Sequence, residues 1–257
     1  MVKSSLFALL LVACFTGAQS QAAELKVLAT GSMAEPLKEL GEAFTHNSGH
    51  TLLFSLGTTG VVMNKIASGE TADVIVISVE AADALQKEGK ILAATRADVA
   101  NSLLGVAVKS GAAVPDISTP DALKKAIVAA RSISYPDPKL GATSGIYIES
   151  LFGTFGIADA AKAKATVKPI GAQVADAVAK GEVELGLTFL SELVPNKGIT
   201  VVGPFPDDVQ NPTLYTAAVA AGTPNEAAAR AFVAYITGPQ SIATLKAAGV
   251  APAAKTP

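Results

Sequence analysis

The sequence is poor in the residues that form disulfides and metal sites. Its 257 residues include no Trp, one Cys and two His. One Cys excludes an intramolecular disulfide, and two His fall short of the three or four convergent ligands that a metal site normally needs. Gly49 interrupts any helix between His46 and His50, so we expect two solvated histidines in a turn. No metal and no other cofactor is expected.

The sequence also lacks strong charge of either sign. It carries 20 basic and 22 acidic residues, a net charge of −2. No basic run and no basic stripe with interleaved aromatics is present, so the composition argues against nucleic-acid binding and against membrane-surface binding. No apolar segment is long enough to span a bilayer as a stable anchor.

The first 22 residues are typical of a secretory signal peptide. An apolar stretch over residues 6–13 follows Lys3, and Ser20-Gln21-Ala22 fits the small-x-small pattern for cleavage. Lys3 is the only charge before Glu24, so cleavage after Ala22 leaves a mature chain with a net charge of −3. That chain contains no Cys, and we expect it in the periplasm.

A second interpretation of this segment stays open. Leu11-Val12-Ala13-Cys14 resembles the lipobox of bacterial lipoproteins, in which the Cys is lipidated and becomes the first mature residue. Bulky Phe15 after Cys14 and the early position of the Cys favour ordinary cleavage. The alternative is a lipoprotein anchored through Cys14.

Strand and helix patterns alternate along the rest of the chain and predict an α/β fold with parallel sheets and helices on both faces. The predicted strands span residues 25–29, 51–56, 73–78, 102–109, 132–135, 166–170, 184–189, 199–202 and 214–220. The predicted helices span residues 35–44, 61–67, 79–87, 120–130, 144–152, 173–180, 225–236 and 239–248.

No flexible linker interrupts this pattern, so a two-lobed protein has to cross between its lobes on strands. The segments 102–109 and 204–220 are the natural crossings. The predicted organisation is a signal peptide over residues 1–22, a discontinuous first lobe over 23–103 and 205–257, and a second lobe over 104–204. The ligand cleft is expected between the lobes.

Three turns combine glycine with hydroxyl residues between a strand and a helix. They are Thr30-Gly31-Ser32, Gly57-Thr58-Thr59-Gly60 and Gly141-Ala142-Thr143-Ser144-Gly145. A helix start presents unpaired N–H groups and partial positive charge, so it receives anions well. Ordinary helix capping is the alternative explanation of one such turn. Three turns in two lobes favour a small anion held between them.

At these turns the sequence resembles the periplasmic molybdate-binding proteins, a branch of the type 2 solute-binding proteins of ABC importers. The resemblance covers the chain from Glu24 to the last helix. It rests on short motifs in the right order: Ala29-Thr30-Gly31-Ser32-Met33, Ile66-Ala67-Ser68-Gly69, Asp137-Pro138 before Gly145-Ile146-Tyr147, and Leu185-Gly186-Leu187 before Ser191. The fold it implies is a two-lobed periplasmic binding protein.

The resemblance implies an anion held by hydroxyls and backbone amides. In this sequence the family's ligand positions fall on Ser32, Thr59, the amide of Ser144, an amide near Gly171, and Phe189, where the family has Tyr. Phe189 removes a donor, which favours an anion with an apolar flank over a compact oxyanion. Thr58 and Thr143 add hydroxyls beside these positions.

A narrower similarity links Gly57-Thr58-Thr59-Gly60 and residues 117–124 to the bacterial aconitate isomerases, which use the same fold. It implies proton transfer between two carbons of a small carboxylate, which needs a positioned acid and base. Lys139 and Tyr147 are the catalytic candidates, with Glu149 beside them. No other catalytic motif is present.

Three classes of function remain open at this point. The first is an aconitate isomerase, and the second is a receptor that delivers molybdate or a similar oxyanion to an ABC permease. The third is a sensor subunit with a signalling partner. All three bind a small anion, and the sequence favours the carboxylate enzyme.

Overall fold

The structure, a computed structural model, describes residues 22–253 and is built around two β-sheets. Cys14 and all of the predicted signal peptide except Ala22 lie outside the described residues. The strands are β1 (Glu24–Thr30), β2 (Thr51–Gly57), β3 (Val74–Ser78), β4 (Ala97–Ser102), β5 (Leu104–Lys109), β6 (Ile133–Pro136), β7 (Ala165–Lys168), β8 (Leu185–Phe189), β9 (Ile199–Pro204), β10 (Thr213–Val219) and β11 (Val250–Pro252). The helices are α1 (Ala34–Ser48), α2 (Thr59–Ala67), α3 (Val79–Lys87), α4 (Pro120–Ala129), α5 (Thr143–Thr154), α6 (Ala158–Lys162), α7 (Gly171–Lys180), α8 (Leu190–Leu193), α9 (Glu226–Ile236) and α10 (Ile242–Ala247).

The six strands of the first sheet follow the order β11-β4-β10-β3-β1-β2, and the five of the second follow β7-β6-β8-β5-β9. The chain passes from the first sheet to the second at Leu103, between β4 and β5. It returns between Pro204 and Thr213. We propose that the boundaries of the two lobes lie at these two passages.

Each sheet is covered by helices on both faces because its strands are apolar on both sides. In β1, Val27 belongs to a core cluster with residues of α1 and α9, while Leu28 belongs to the cluster with residues of α2 and α3. In the second sheet, Leu187 packs with residues of α4 and α5, whereas Ala107 packs with residues of α7.

The prediction of parallel sheets is wrong for the crossing strands. β1 pairs in parallel with β2 and β3, and β6 with β7 and β8. β10 is antiparallel to β3 and β4, and β5 is antiparallel to β8 and β9. A strand that arrives from the other sheet enters at the edge where the parallel strands end, so it runs against its neighbours.

Several short elements escaped the sequence patterns. β4, α6, α8 and β11 were not predicted, and polar Asp98 and Asn101 obscured β4. The expectation of a solvated His50 is also wrong. Its Nδ1 accepts a hydrogen bond from the N–H of Ala23 at 3.0 Å, and its ring stacks on Phe44 with centroids 5.9 Å apart. His50 is therefore a buried residue that holds the start of β1.

Candidate functional site

A cavity lies between the two sheets, at the edge where parallel strands of both sheets end. Residues that follow the ends of β1, β2, β6 and β8 line it, together with Tyr215 of β10. The carboxyl ends of parallel strands are the usual place for a ligand in α/β proteins. This cavity is the candidate site.

The first sheet contributes two turns with neutral hydrogen-bonding groups. Ser32 lies in the short turn between β1 and α1 and is 6% exposed. Thr58 caps α2, because its Oγ1 accepts a hydrogen bond from the N–H of Val61 at 3.2 Å. Thr59 is the first residue of α2. These turns present hydroxyls and helix-start amides without any charged side chain.

The second sheet contributes the start of α5. Thr143 and Ser144 are its first two residues, and both line the cavity. No side chain caps this helix start. The amides of the first turn therefore face the cavity without an internal acceptor, which is the arrangement that receives an anionic oxygen.

The start of α7 also faces the cavity, but a carboxylate of the protein occupies it. Glu192 of α8 accepts a hydrogen bond from the N–H of Gly171 at 3.0 Å through Oε1, and from the Thr188 hydroxyl at 2.6 Å through Oε2. Burial raises the pKa of Glu192, while the donors at Thr188, Gly171 and Phe189 oppose that rise. The balance leaves Glu192 a stronger base than an exposed glutamate.

Glycine at position 171 makes this approach possible. A Cβ atom built there would lie 1.9 Å from Oε2 of Glu192 and 2.3 Å from Oγ1 of Thr188. Any side chain at 171 would displace the carboxylate. The chain therefore keeps the smallest residue at the point where α7 meets Glu192.

Tyr215 crosses from the first sheet into the cavity and is 1% exposed. Burial raises the pKa of Tyr215 to about 12, although hydrogen bonds from Ser32, Thr143 and Thr30 oppose the rise. The Tyr215 ring packs edge-on against Phe189, with centroids 6.3 Å apart. The cavity therefore keeps a neutral phenol beside the hydroxyls of both lobes.

Charge in the cavity is confined to one group. Among its lining residues Glu192 is the only acid, and none is Lys, Arg or His. The ion pairs found within residues 22–253 do not involve Glu192. Its charge is balanced only by neutral donors, which is an uncommon setting for a carboxylate.

The two lobes touch each other over the cavity at a pair of glycines. The N–H of Gly60 donates to the carbonyl of Gly141 at 3.2 Å, and the Thr58 hydroxyl donates to the carbonyl of Leu140. A Cβ at Gly60 would lie 2.7 Å from that Leu140 oxygen. We call this contact the glycine latch.

The space inside the cavity is small in this closed arrangement. Its volume open to water is about 20 Å³, room for roughly one or two water molecules. A ligand with a dozen non-hydrogen atoms therefore enters only when the lobes stand further apart. Opening has to release the glycine latch, since it bridges the cavity.

The structure brings together all seven residues that the sequence assigned to ligand binding. All seven line the one cavity: Ser32, Thr58, Thr59, Thr143, Ser144, Gly171 and Phe189. The two catalytic candidates are not among the lining residues. Lys139 is exposed on the turn before α5, and the Tyr147 hydroxyl donates to the carbonyl of Val209 at 3.0 Å. Glu149 instead pairs with Lys162 at 2.7 Å.

Sequence reasoning missed Glu192 and Tyr215. Glu192 follows a buried strand within four residues, and an acid at the carboxyl end of such a strand was a usable signal. Tyr215 lies inside an apolar run that reads only as a strand. Tyr215 lines the cavity because β10 pairs with β3 in the first sheet. A local sequence pattern does not reveal that pairing.

Within residues 22–253 no group of three or more His, Cys, Asp or Glu side chains is arranged to hold a metal ion. No helix in the described part is long and apolar enough to cross a membrane.

Comparison with known sequences points to solute-binding proteins. The family described as bacterial extracellular solute-binding protein matches residues 25–251. An aconitate isomerase from a Pseudomonas species is 32% identical in an alignment 262 residues long, which covers 98% of this chain and 97% of that protein. The molybdate-binding protein ModA of Azotobacter vinelandii is 28% identical over 233 residues, 90% of each chain.

Solved structures agree on the fold. The periplasmic molybdate-binding protein of Azotobacter vinelandii matches with a TM-score of 0.75 and 23% identity, over 88% of this chain and 98% of that one. The sulfate-binding protein SubI of Mycobacterium tuberculosis H37Rv matches with a TM-score of 0.72 and 20% identity, over 91% and 88%. The predicted α/β fold of a periplasmic binding protein is confirmed.

Proposed function

Because the chain belongs to the bacterial extracellular solute-binding protein family, we propose that it binds a small polycarboxylate in its cleft and interconverts trans- and cis-aconitate. One observation carries the proposal: a cleft lined by neutral donors also contains a half-buried carboxyl group, that of Glu192. A plain anion receptor gains nothing from an acid at its site. The extensive similarity to an aconitate isomerase supports the same conclusion.

Neutral donors suit the carboxylates of such a substrate. We propose that Ser32, Thr59 and the start of α5 bind carboxylate oxygens, with Thr58 and Thr143 beside them. Hydroxyls and amides bind these oxygens without the strong fixed charge of a guanidinium. Phe189, which is 2% exposed, offers an apolar surface to the carbon skeleton.

The reaction requires that a proton leave one carbon and another be returned two carbons away. An acid–base group in a water-poor cleft contributes typically about 10²- to 10⁴-fold to such a step. Lys139 and Tyr147, the catalytic candidates near the turn before α5, do not line the cavity: Lys139 is exposed, and the Tyr147 hydroxyl donates to the carbonyl of Val209. We therefore expect the acid–base group to be one of the residues that line the cavity.

A receptor for molybdate or a similar oxyanion, working with an ABC permease, is the second candidate. It is favoured by one specific observation, the uncapped start of α5 facing a cavity of hydroxyls. The molybdate-binding relatives use the same fold. A receptor moves no proton, so the charge of Glu192 would only weaken binding there, which makes the receptor the weaker proposal.

We further propose that the mature protein works in the periplasm, released after cleavage behind Ala22. Membership of an extracellular family supports export. Anchoring through a lipidated Cys14 is the alternative, and mass spectrometry of the protein from membrane and soluble fractions distinguishes the two.

The test is a thermal-shift panel with molybdate, tungstate, sulfate, citrate and both aconitates on the mature protein, followed by an absorbance assay of aconitate isomerisation. A ligand present at about 100 times its Kd adds about 2.7 kcal/mol to the free energy of unfolding, which a melting curve resolves. We expect shifts with the aconitates and turnover of both isomers. Sub-micromolar molybdate binding without any response to aconitates contradicts the proposal.

A further inference from the structure

We infer that Glu192 is the catalytic residue that carries the proton between the two carbons of the substrate. The inference rests on the proposed function, since it assigns a residue to that reaction. It goes beyond the family's ligand positions, because Glu192 lies on α8 and occupies a helix start that would otherwise bind the ligand.

The geometry holds the Glu192 carboxylate at a fixed place in the cleft. Two neutral donors hold it: the Thr188 hydroxyl at 2.6 Å and the N–H group of Gly171 at 3.0 Å. Each carboxylate oxygen has further lone pairs, so these contacts leave acceptor capacity for a proton. The group lines the cavity and faces the space that the substrate enters.

The proton shift balances with this one group. The Glu192 carboxylate takes a proton from the methylene carbon, and the C–H electron pair forms a new C=C bond. The old double bond opens toward its far carbon, which takes the proton back from the Glu192 carboxylic acid. Glu192 returns to its starting state, and no oxidant, reductant or co-substrate is consumed.

A purely structural role does not account for this carboxylate. Acids withdrawn from solvent are normally paired with a cation, but the half-buried Glu192 takes part in no ion pair within residues 22–253. A negative charge in an anion site also weakens ligand binding. A group that opposes binding and is nevertheless held in place is expected when it acts on the bound molecule.

Replacing the carboxylate by an amide of the same shape tests the inference. In Glu192→Gln, the amide oxygen can still accept from the N–H of Gly171, and the Thr188 hydroxyl can turn to accept from the amide NH2, so the fold is expected to persist. We expect kcat for aconitate isomerisation to fall by about 100-fold or more. Titration calorimetry with trans-aconitate should give an unchanged or tighter Kd, because the repelling charge is gone.

Matched variants separate catalysis from general damage. Glu182→Gln makes the same chemical change at an exposed residue that pairs with Lys168 at 3.3 Å, and should keep the parent's kcat. Glu192→Asp should restore part of the activity. Thr188→Val removes a donor to the carboxylate, so it should raise the pKa of Glu192 and move the acidic limb of the kcat/KM profile to higher pH.

The outcomes distinguish this inference from the proposed function. A parent that isomerises aconitate while Glu192→Gln retains kcat within threefold contradicts the inference alone. Loss of both kcat and aconitate binding in a folded Glu192→Gln also contradicts it, because Glu192 would then serve binding. A parent that neither binds nor isomerises aconitate overturns the proposed function and the inference with it.

Discussion

The starts of α5 and α7 face the same cavity from the same sheet, yet only one of them is available to a ligand. The start of α5 at Thr143 and Ser144 has no capping side chain. The start of α7 at Gly171 is hydrogen-bonded to Glu192 at 3.0 Å. The two helix starts are alike in backbone, but only the start of α7 meets a charged side chain.

This difference changes what the cleft can do. An open helix start attracts an anionic oxygen, whereas one already filled by a carboxylate presents a base. The first function belongs to a receptor, and both together belong to an enzyme acting on an anion. When a carboxylate of the protein occupies one of the two helix starts, a binding cleft of this fold gains a base beside its remaining anion site.

The largest expected loss of activity comes from removing the Glu192 carboxylate from the start of α7 without changing Glu192 itself. Gly171→Ala places a Cβ 1.9 Å from the Glu192 carboxylate and has to displace it. Activity should fall as far as in Glu192→Gln, and the free energy of unfolding should fall by about 1–3 kcal/mol. The isomerisation assay measures the activity, and urea unfolding measures the free energy of unfolding.

Gly153→Ala is the matched control for this change. Gly153 is an exposed residue of α5, and a Cβ there meets no atom within 4 Å. We expect full activity and a gain of about 0.5–1 kcal/mol from helix propensity. Equal behaviour of the two alanine variants would contradict the importance of the close contact at Gly171.

We expect the glycine latch to affect ligand affinity, because it joins the two lobes beside the cavity. Gly60→Ala brings a Cβ within 2.7 Å of the Leu140 carbonyl, so the closed arrangement should become unfavourable by about 1–3 kcal/mol. Because the clash exists only between lobes, ligand affinity should fall about 5- to 150-fold while the melting temperature without ligand stays constant. An unchanged Kd by calorimetry would show that closure does not contribute to binding.

The hydroxyls of the first lobe provide a finer test of the ligand-binding side. Ser32→Ala and Thr59→Ala should each weaken aconitate binding by about 1–2 kcal/mol, the size of one hydrogen bond, with little loss of stability. Kd values from calorimetry check this. A larger effect on kcat than on Kd would assign these hydroxyls to the reaction rather than to binding.

The smallest effect concerns stability and pH. The pKa of Glu192 is raised in the folded state, so the folded protein holds this proton more tightly than the unfolded chain does. Its carboxylate therefore costs stability as pH rises from the ordinary pKa of 4.5 through the folded-state pKa. Tyr215, the other titratable group of the cavity, has a pKa of about 12 and stays neutral over this range.

Chemical denaturation of Glu192→Gln and of the parent measures this dependence. The variant should gain stability relative to the parent as pH rises from about 4 to 8. If the difference in the free energy of unfolding between the two proteins did not vary with pH, burial would not raise the pKa of Glu192.

The contrast between the helix starts also marks what the sequence could predict. Ser32, Thr59 and Ser144 follow strand ends in glycine-rich turns, and local pattern was enough to assign them to one cleft. Glu192 is different, because its place depends on α8, a helix of only four residues, and on the absent side chain of Gly171. Such a contact between distant residues leaves no periodic signal.

The same distinction holds for the fold. Long apolar strands such as β1 and β3 were predicted almost residue for residue, because their interior faces are continuous. The direction of β5 and β10 was not, since it depends on where the chain crosses between the sheets. Tyr215 reaches the cavity because β10 lies beside β3 in the first sheet. A correct prediction of the strand 214–220 did not reveal this position.

The central claim is that the chain isomerises aconitate in this cleft, and proton NMR of trans-aconitate with the mature protein in D₂O tests it most directly. The account predicts that cis-aconitate appears, and that its methylene carbon receives the proton carried by Glu192, with deuterium entering only as far as that carboxyl exchanges with solvent before the return step. A trans-aconitate spectrum that stays unchanged over hours, while molybdate raises the melting temperature of the same sample, would contradict it and favour the receptor.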